Sequence, residues 1–319
     1  MSDPNYTVRL LFDVPGWAYH RRCKALEIYK PDDFHVTIGG NYGAEFKRRK
    51  YDLVLQLCYP CSERVRRHIT NGKYDMTLVT GFNVAWAERG GWWKGAYKFS
   101  DWVVLNSQAA WEEANRLEHS SYISNGVDRE TFKIVTPPDQ RTPKVLCIGS
   151  KFHKVNKGFD NVLKEVAEKL KPHNIPTDFR CVDSHGKGRM NAEEMCQWYN
   201  EGTVYVVASK REGTPNPALE AASCGNILVA TRCGNMPELI DDGVNGYLVE
   251  RQADAIVAKV LAAHERRAEM ATAMEAAITP WHWKVRGLEY FHLFRTLIEE
   301  RRNGVQELRE KQETNAVGA

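Results

Sequence analysis

The chain has 319 residues and a mass of 36.4 kDa, about twice the usual size of one domain, so two domains are expected. Hydrophobic residues make up 43% and charged residues 27%, which excludes a mostly disordered or fibrous chain, and no apolar run is long enough for a membrane-spanning helix. Lys plus Arg number 44 against 41 Asp plus Glu, a net charge of +3 that is too small by itself to indicate a nucleic-acid or membrane partner.

Met1 to Asn5 is polar and runs straight into a strand-like stretch, without a basic segment followed by an apolar one, so a cytoplasmic location is expected. Short β-rich runs then alternate with helical stretches, the pattern of parallel sheets with crossover helices. In the first half strands are expected at Thr7–Val14, Phe34–Ile38, Leu53–Cys58, Met76–Thr80 and Trp102–Asn106. In the second half they are expected at Lys144–Gly149, Asp178–Val182, Thr203–Ala208, Ile227–Ala230 and Tyr247–Val249. The eight cysteines fit a reduced compartment, with Cys147 and Cys181 placed as small hydrophobes in strand-like runs. Cys58 and Cys61 form the only CxxC; lacking a second pair, it reads as two ordinary cysteines more readily than as a zinc or redox centre.

Between the halves, Thr136 to Pro143 is proline-rich and polar and cannot sit inside a sheet, which makes it the natural linker. The chain then divides into residues 1–140, residues 141–285, and a remainder 286–319 that supplies a return helix and a polar tail. From Arg301 there is little to bury, and a frayed end is expected. Two doubly wound domains would face their strand ends across a cleft, where a ligand is expected.

The stretch from Ser209 to Gly225 is the most informative. A strand ends, a Gly/Pro turn follows, and Asn216 and Pro217 supply an N-cap and first position for a helix from Ala218. The free amides of that helix N-terminus would suit an anion such as a diphosphate. Glu212 and Glu220 have seven residues between them, so one carboxylate can reach beyond a bound phosphate and the other its near side; on a nucleotide-sugar these would be sugar and ribose hydroxyls. Geometry alone leaves equal room for Glu220 as a helix-dipole partner and Glu212 as a solvated loop residue.

This stretch resembles the signature of retaining glycosyltransferases of family 4, in which two glutamates flank seven residues and a small-residue helix follows. The likeness extends to Val229–Ile240, to Asp242–Val249 as the "dG-nG-lv" hairpin, to Ile123–Phe132 at the close of the N-terminal domain, and to Ile278–Trp283 before the last helix. It implies the α/β GT-B architecture: two Rossmann-like domains, the donor nucleotide held mainly by the C-terminal one, and a last helix crossing back. It also implies transfer with retention of configuration from a UDP- or GDP-linked sugar as co-substrate, with no cofactor and no required metal.

By the same resemblance, Glu212 would contact donor sugar hydroxyls and Glu220 the ribose. Gly213, Thr214, Asn216, Ala218 and Leu219 would face sugar and phosphate, although Pro215 and Pro217 each remove an amide donor. Lys157, before Gly158, matches the family's diphosphate lysine. The family's arginine position is occupied by Ser150, which leaves Lys151 or Lys154 as the second cation; a lysine supplies charge without the bidentate grip of arginine. After the first strand, Gly16 would let the backbone approach the phosphates, Trp17 could pack over a sugar or between domains, and His20 and Arg21 are candidates for diphosphate or acceptor contacts. The chain reads Thr80 to Trp86 without the histidine many relatives place after the fourth strand.

The acceptor is open between a glycan, a lipid, a small molecule and, as in some viral enzymes, a modified nucleic-acid base. Lys47–Lys50, Arg64, Arg66, Arg67, Trp92–Lys94 and Lys98 mix basic residues with aromatics, which would suit an anionic membrane surface or a nucleic-acid backbone as well as an ordinary solvated face. A nucleotide-sugar epimerase or a non-catalytic sugar-nucleotide binder stands as the alternative on the same fold.

Overall fold

The computed structural model describes residues 5–40, 51–58, 61–71, 74–82, 93–183 and 190–317, with backbone alone for 93–95 and 305–317. The first domain runs β1 (Tyr6–Phe12), α1 (Ala18–Ile28), β2 (Phe34–Gly40), β3 (Leu53–Gln56), α2 (Ser62–Asn71), β4 (Thr77–Phe82), α3 (Trp93–Phe99), β5 (Trp102–Leu105), α4 (Gln108–Glu113) and β6 (Ser120–Tyr122). The second runs β7 (Val145–Ser150), α5 (Lys154–Lys157), α6 (Val162–Leu170), β8 (Thr177–Val182), α7 (Ala192–Asn200), β9 (Val204–Val207), α8 (Asn216–Ser223), β10 (Ile227–Thr231), α9 (Met236–Leu239) and β11 (Gly246–Val249). It continues through α10 (Ala253–Glu265) and α11 (Arg267–Ile278) into α12 (Trp283–Val317).

Among the described residues every strand pairing is parallel, in a six-stranded sheet ordered β2-β1-β3-β4-β5-β6 and a five-stranded sheet ordered β11-β10-β9-β7-β8. All ten expected strands form. In both sheets the second strand lies outside the first and the third lies on its other side, so the winding reverses between β1 and β3 and again between β7 and β9. Ligands of doubly wound sheets bind outside the carboxyl ends at such reversals.

Burial on both faces explains the nearly unbroken apolar strands. In the second sheet Leu146, Ile148, Tyr205, Val207, Leu228 and Ala230 point into one core, while their neighbours Val145, Cys147, Val204, Val206, Ile227 and Val229 point into the other. Cys181 departs from expectation: it is only half-buried, because β8 is the sheet edge. The first sheet sets Val8, Leu10, Leu53 and Leu55 against Tyr290, Phe291 and Phe294 of α12, so the last helix closes the core of the first domain.

The change of domain occurs earlier than the proline-rich stretch. Val127 and Phe132 already belong to the second core, and the outgoing and returning chains cross side by side: Val127 N donates to Trp281 O at 2.8 Å and Trp283 N to Val127 O at 3.1 Å. The proline-rich stretch is fixed to the second domain by Arg141, only 5% exposed. Its guanidinium donates to Thr136 O (2.6 Å), Gly202 O (2.9 Å), Cys224 O (2.7 Å) and Asn200 Oδ1 (2.9 Å), and burial lowers its pKa to about 10. The expected frayed tail is also corrected: helix continues to Val317, and Arg301 and Arg302 pair with Asp75 (2.5 Å) and Asp52 (2.8 Å) of the first domain. Among the described residues no helix is long and apolar enough to cross a membrane.

Replacing Arg141 by Met strands several buried carbonyl oxygens. We expect a loss of about 3 kcal/mol, read as a lower urea midpoint at unchanged m-value.

Candidate functional site

The second sheet's reversal point is filled by two loops laced together. After β7, Ser150 Oγ accepts from Phe152 N at 3.2 Å, and the loop closes on Gly158, whose φ of +79° is left-handed. After β9, the loop from Ser209 leads to α8. Asn156 ties the two: its carbonyl accepts from Lys210 N (2.9 Å), its Oδ1 from Arg211 N (3.2 Å), and its Nδ2 donates to Arg211 O (2.9 Å). Lys157 Nζ thereby meets Glu212 Oε1 at 2.7 Å, with side chains only 16% and 8% exposed. Ser209 Oγ donates to the same carboxylate oxygen at 2.7 Å. Burial works against the Lys157 ammonium, but the Glu212 carboxylate outweighs it and leaves the lysine's pKa raised.

Gly234 locks this loop in place. Its φ is +54°, and a Cβ there would lie 2.1 Å from Gly213 O, which accepts from Asn235 N at 3.1 Å. Thr214 Oγ1 accepts from Asn235 Nδ2 (3.1 Å) and donates across the cleft to Asn106 O (3.0 Å). Asn106 is fully buried at the end of β5, its side-chain amide without a partner among the described residues.

Helix α8 begins one residue earlier than expected. Pro215 occupies the N-cap, and Asn216 is the first helical residue, its Oδ1 accepting from Asn125 Nδ2 of the interdomain crossing at 2.8 Å instead of capping. The amides of Asn216 and Ala218 donate to Thr214 O (2.9 Å) and Pro215 O (2.8 Å). The expected fan of free amides is therefore reduced. Ala218 and Leu219 are buried in the domain core.

Glu220 is 7% exposed and accepts from Tyr199 OH at 2.9 Å and, across the cleft, from Arg21 Nη1 at 3.3 Å. Burial raises its pKa, opposed by Arg21 and the tyrosine hydroxyl. The first domain also sends Gln108 N and Tyr122 OH to Glu238. Gly16 has φ +77°, and its N–H donates to His20 Nδ1 at 2.8 Å; burial and then Lys24 lower the pKa of that histidine. Trp17 is half-buried at the N-cap of α1, whose Arg21 amide donates to Trp17 O at 2.9 Å. Lys151 and Lys154 are exposed, the latter 3.1 Å from Asp160.

The structure thus brings Lys157, Glu212, Gly213, Thr214, Asn216 and Glu220 to one place, and leaves Lys151 and Lys154 facing solvent. Asn156, Asn125 and Tyr199 join them without having been singled out, since each owes its role to a partner distant in sequence; Ser209 joins through a local contact, three residues before Glu212. Of the basic candidates, Lys47–Lys50 and Trp92 lie outside the described residues, as do the side chains of Trp93 and Lys94. Arg66 binds Asp101 (2.8 Å) and Phe99 O (2.8 Å), and Arg67 pairs with Glu63, which spends part of that charge.

No group of three or more metal-binding side chains occurs among the described residues. The Cys58 and Cys61 sulfurs are 3.8 Å apart, and their hydrogen bond lowers the Cys61 thiol to about 7, while burial lifts Cys23, Cys147 and Cys233 to about 12. Iodoacetamide at pH 8 should therefore label Cys61 well before those three, as followed by peptide mass spectrometry.

Against known proteins, residues 180–266 match the family profile described as glycosyl transferases group 1. A D-inositol 3-phosphate glycosyltransferase from Arthrobacter sp. (strain FB24) is 40% identical over 74 residues, 23% of this chain and 18% of that protein. An uncharacterized glycosyltransferase, MJ1178, from Methanocaldococcus jannaschii is 34% identical over 64 residues, 20% of this chain and 18% of that protein. Each match thus spans less than a fifth of the relative's length. Two solved structures are similar over nearly the whole fold. Sucrose-phosphate synthase from Thermosynechococcus elongatus aligns with TM-score 0.70 at 14% identity, covering 92% of this chain and 100% of that one. Anabaena Alr3699/HepE, in complex with UDP and glucose, aligns with TM-score 0.70 at 13% identity, covering 91% and 99%. The architecture is GT-B, two Rossmann-like domains facing across a cleft. The second domain carries the glycosyl transferases group 1 pattern, in keeping with the family 4 likeness of its motifs.

Proposed function

We propose that the chain is a glycosyltransferase that moves a sugar, with retention of anomeric configuration, from a UDP- or GDP-linked donor to a glycan, lipid or small-molecule acceptor. The observation that carries this reading is the buried Lys157–Glu212 pair outside the carboxyl ends of β7 and β9. A similar fold has been solved with UDP-glucose, and the curated relatives are named glycosyltransferases.

In this reading the donor diphosphate lies at Lys157, the sugar hydroxyls donate to Glu212, and the ribose hydroxyls donate to Glu220. The bond from the anomeric carbon to the phosphate oxygen breaks, and a bond to the acceptor oxygen forms on the same face. The acceptor's proton passes to the departing diphosphate. The protein's largest contribution is electrostatic, because a cation held in a poorly hydrated site stabilises charge as it develops on the leaving group. In this reading Lys157 supplies that cation, and a divalent metal is not required.

Glu212→Gln and Lys157→Ala should each lower sugar transfer by at least about a hundredfold while circular dichroism and gel filtration show a folded chain. The assay measures nucleotide release from UDP- and GDP-sugars with and without candidate acceptors. Release that needs an acceptor supports transfer; an altered nucleotide-sugar formed without one would mean an epimerase. Near-normal turnover in both variants would sink the assignment.

A further inference from the structure

The site is short of positive charge for the ligand proposed. Glu212 and Glu220 bring two carboxylates against one ammonium, Lys157, and that ammonium already faces Glu212 at 2.7 Å. A nucleotide-sugar adds a doubly charged diphosphate, and more charge develops there as the sugar leaves. The nearby lysines do not make up the deficit: Lys151 is exposed and Lys154 is engaged by Asp160.

The missing charge stands on the opposite wall. Arg21, near the start of α1, extends across the cleft to Glu220, and its side chain is 46% exposed, so it keeps room to turn. Behind it Arg22 is only 2% exposed. One of its terminal nitrogens donates to Asn125, while Nε and Nη1 have no hydrogen-bond partner among the described residues and the guanidinium lies over the Tyr290 ring at 5.8 Å. Both arginines line a cavity together with Asn125, Asn216, Glu220 and Asp128. Asp128 lines the same cavity but makes no ion pair with Arg22; its oxygens accept instead from the Tyr29 hydroxyl, the Glu130 amide and the Thr131 hydroxyl. A buried guanidinium with two donors unmet and no carboxylate on it among the described residues is costly unless an anion approaches.

We infer that Arg21 is a diphosphate-binding residue supplied by the N-terminal domain, with Arg22 sustaining the positive potential behind it. The inference rests on the nucleotide-sugar reading of the site. When ribose hydroxyls take over Glu220, Arg21 gives up that carboxylate and turns its guanidinium to the phosphate oxygens, where it can bind two at once. The cation then reaches the leaving group only when the two domains are together, so closure and leaving-group stabilisation coincide.

The test is titration calorimetry on the full chain with UDP and uridine, and with GDP and guanosine in parallel, for the unaltered protein, Arg21→Met and Arg21→Lys. Arg21→Met should weaken the diphosphate about tenfold and leave the nucleoside within about twofold; Arg21→Lys, which keeps the charge, should recover most of that loss. If Arg21 merely blocks Glu220, Arg21→Met would instead tighten diphosphate and nucleoside alike, and the inference would be overturned. Equal loss for both ligands, or no loss for either, would also overturn it. Failure of the unaltered chain to bind either diphosphate would overturn the nucleotide site itself, a result separable from a fault in the role of Arg21.

Discussion

A lysine ammonium held among strand ends stays charged only if a carboxylate faces it, and the second domain is arranged to meet that demand at Lys157 and Glu212. The two residues come from loops 55 positions apart, so each loop must be held in register with the other. Asn156 supplies three hydrogen bonds for this, one through its backbone and two through its side chain. Gly149 leaves room for the lysine stem, since a Cβ there would lie 2.5 Å from Lys157 Cδ. Gly234 gives the same clearance to the backbone of the Glu212 loop. Removing either partner would strand the other charge, which is why a pair of this kind specifies a site more than it stabilises a fold.

The two domains repeat one strand order, but only the second puts an ion pair at its reversal point among the described residues. The first contributes from across the cleft, through Arg21, Asn106 and Asn125. The chain crosses between the domains twice in adjacent positions, at Val127 and at His282, and α12 then packs against the first core.

The fold was largely legible in the sequence because parallel strands buried on both faces read as apolar runs, as in Leu53–Gln56 or Ile227–Thr231. Strand β6 was not, since Ser120–Tyr122 is three residues long and two are serines. The linker was misplaced because a proline-rich segment can be pinned as firmly as a helix when one arginine collects its carbonyls, as Arg141 does. In the site, Glu212, Glu220 and Lys157 could be singled out from their spacing and family likeness. The contacts that cross the cleft could not, because Arg21 with Glu220, or Tyr122 with Glu238, lie 199 and 116 positions apart and nothing local marks them as partners.

The central claim is that Glu212 holds the sugar of the donor while Lys157 holds its diphosphate. The most direct measurement is the ratio of affinities for a nucleoside diphosphate-sugar and for the bare nucleoside diphosphate, compared between the unaltered chain and Glu212→Gln. The account predicts that Glu212→Gln erases most of the preference for the sugar-bearing ligand. A Glu212→Gln chain that keeps the full preference would contradict it.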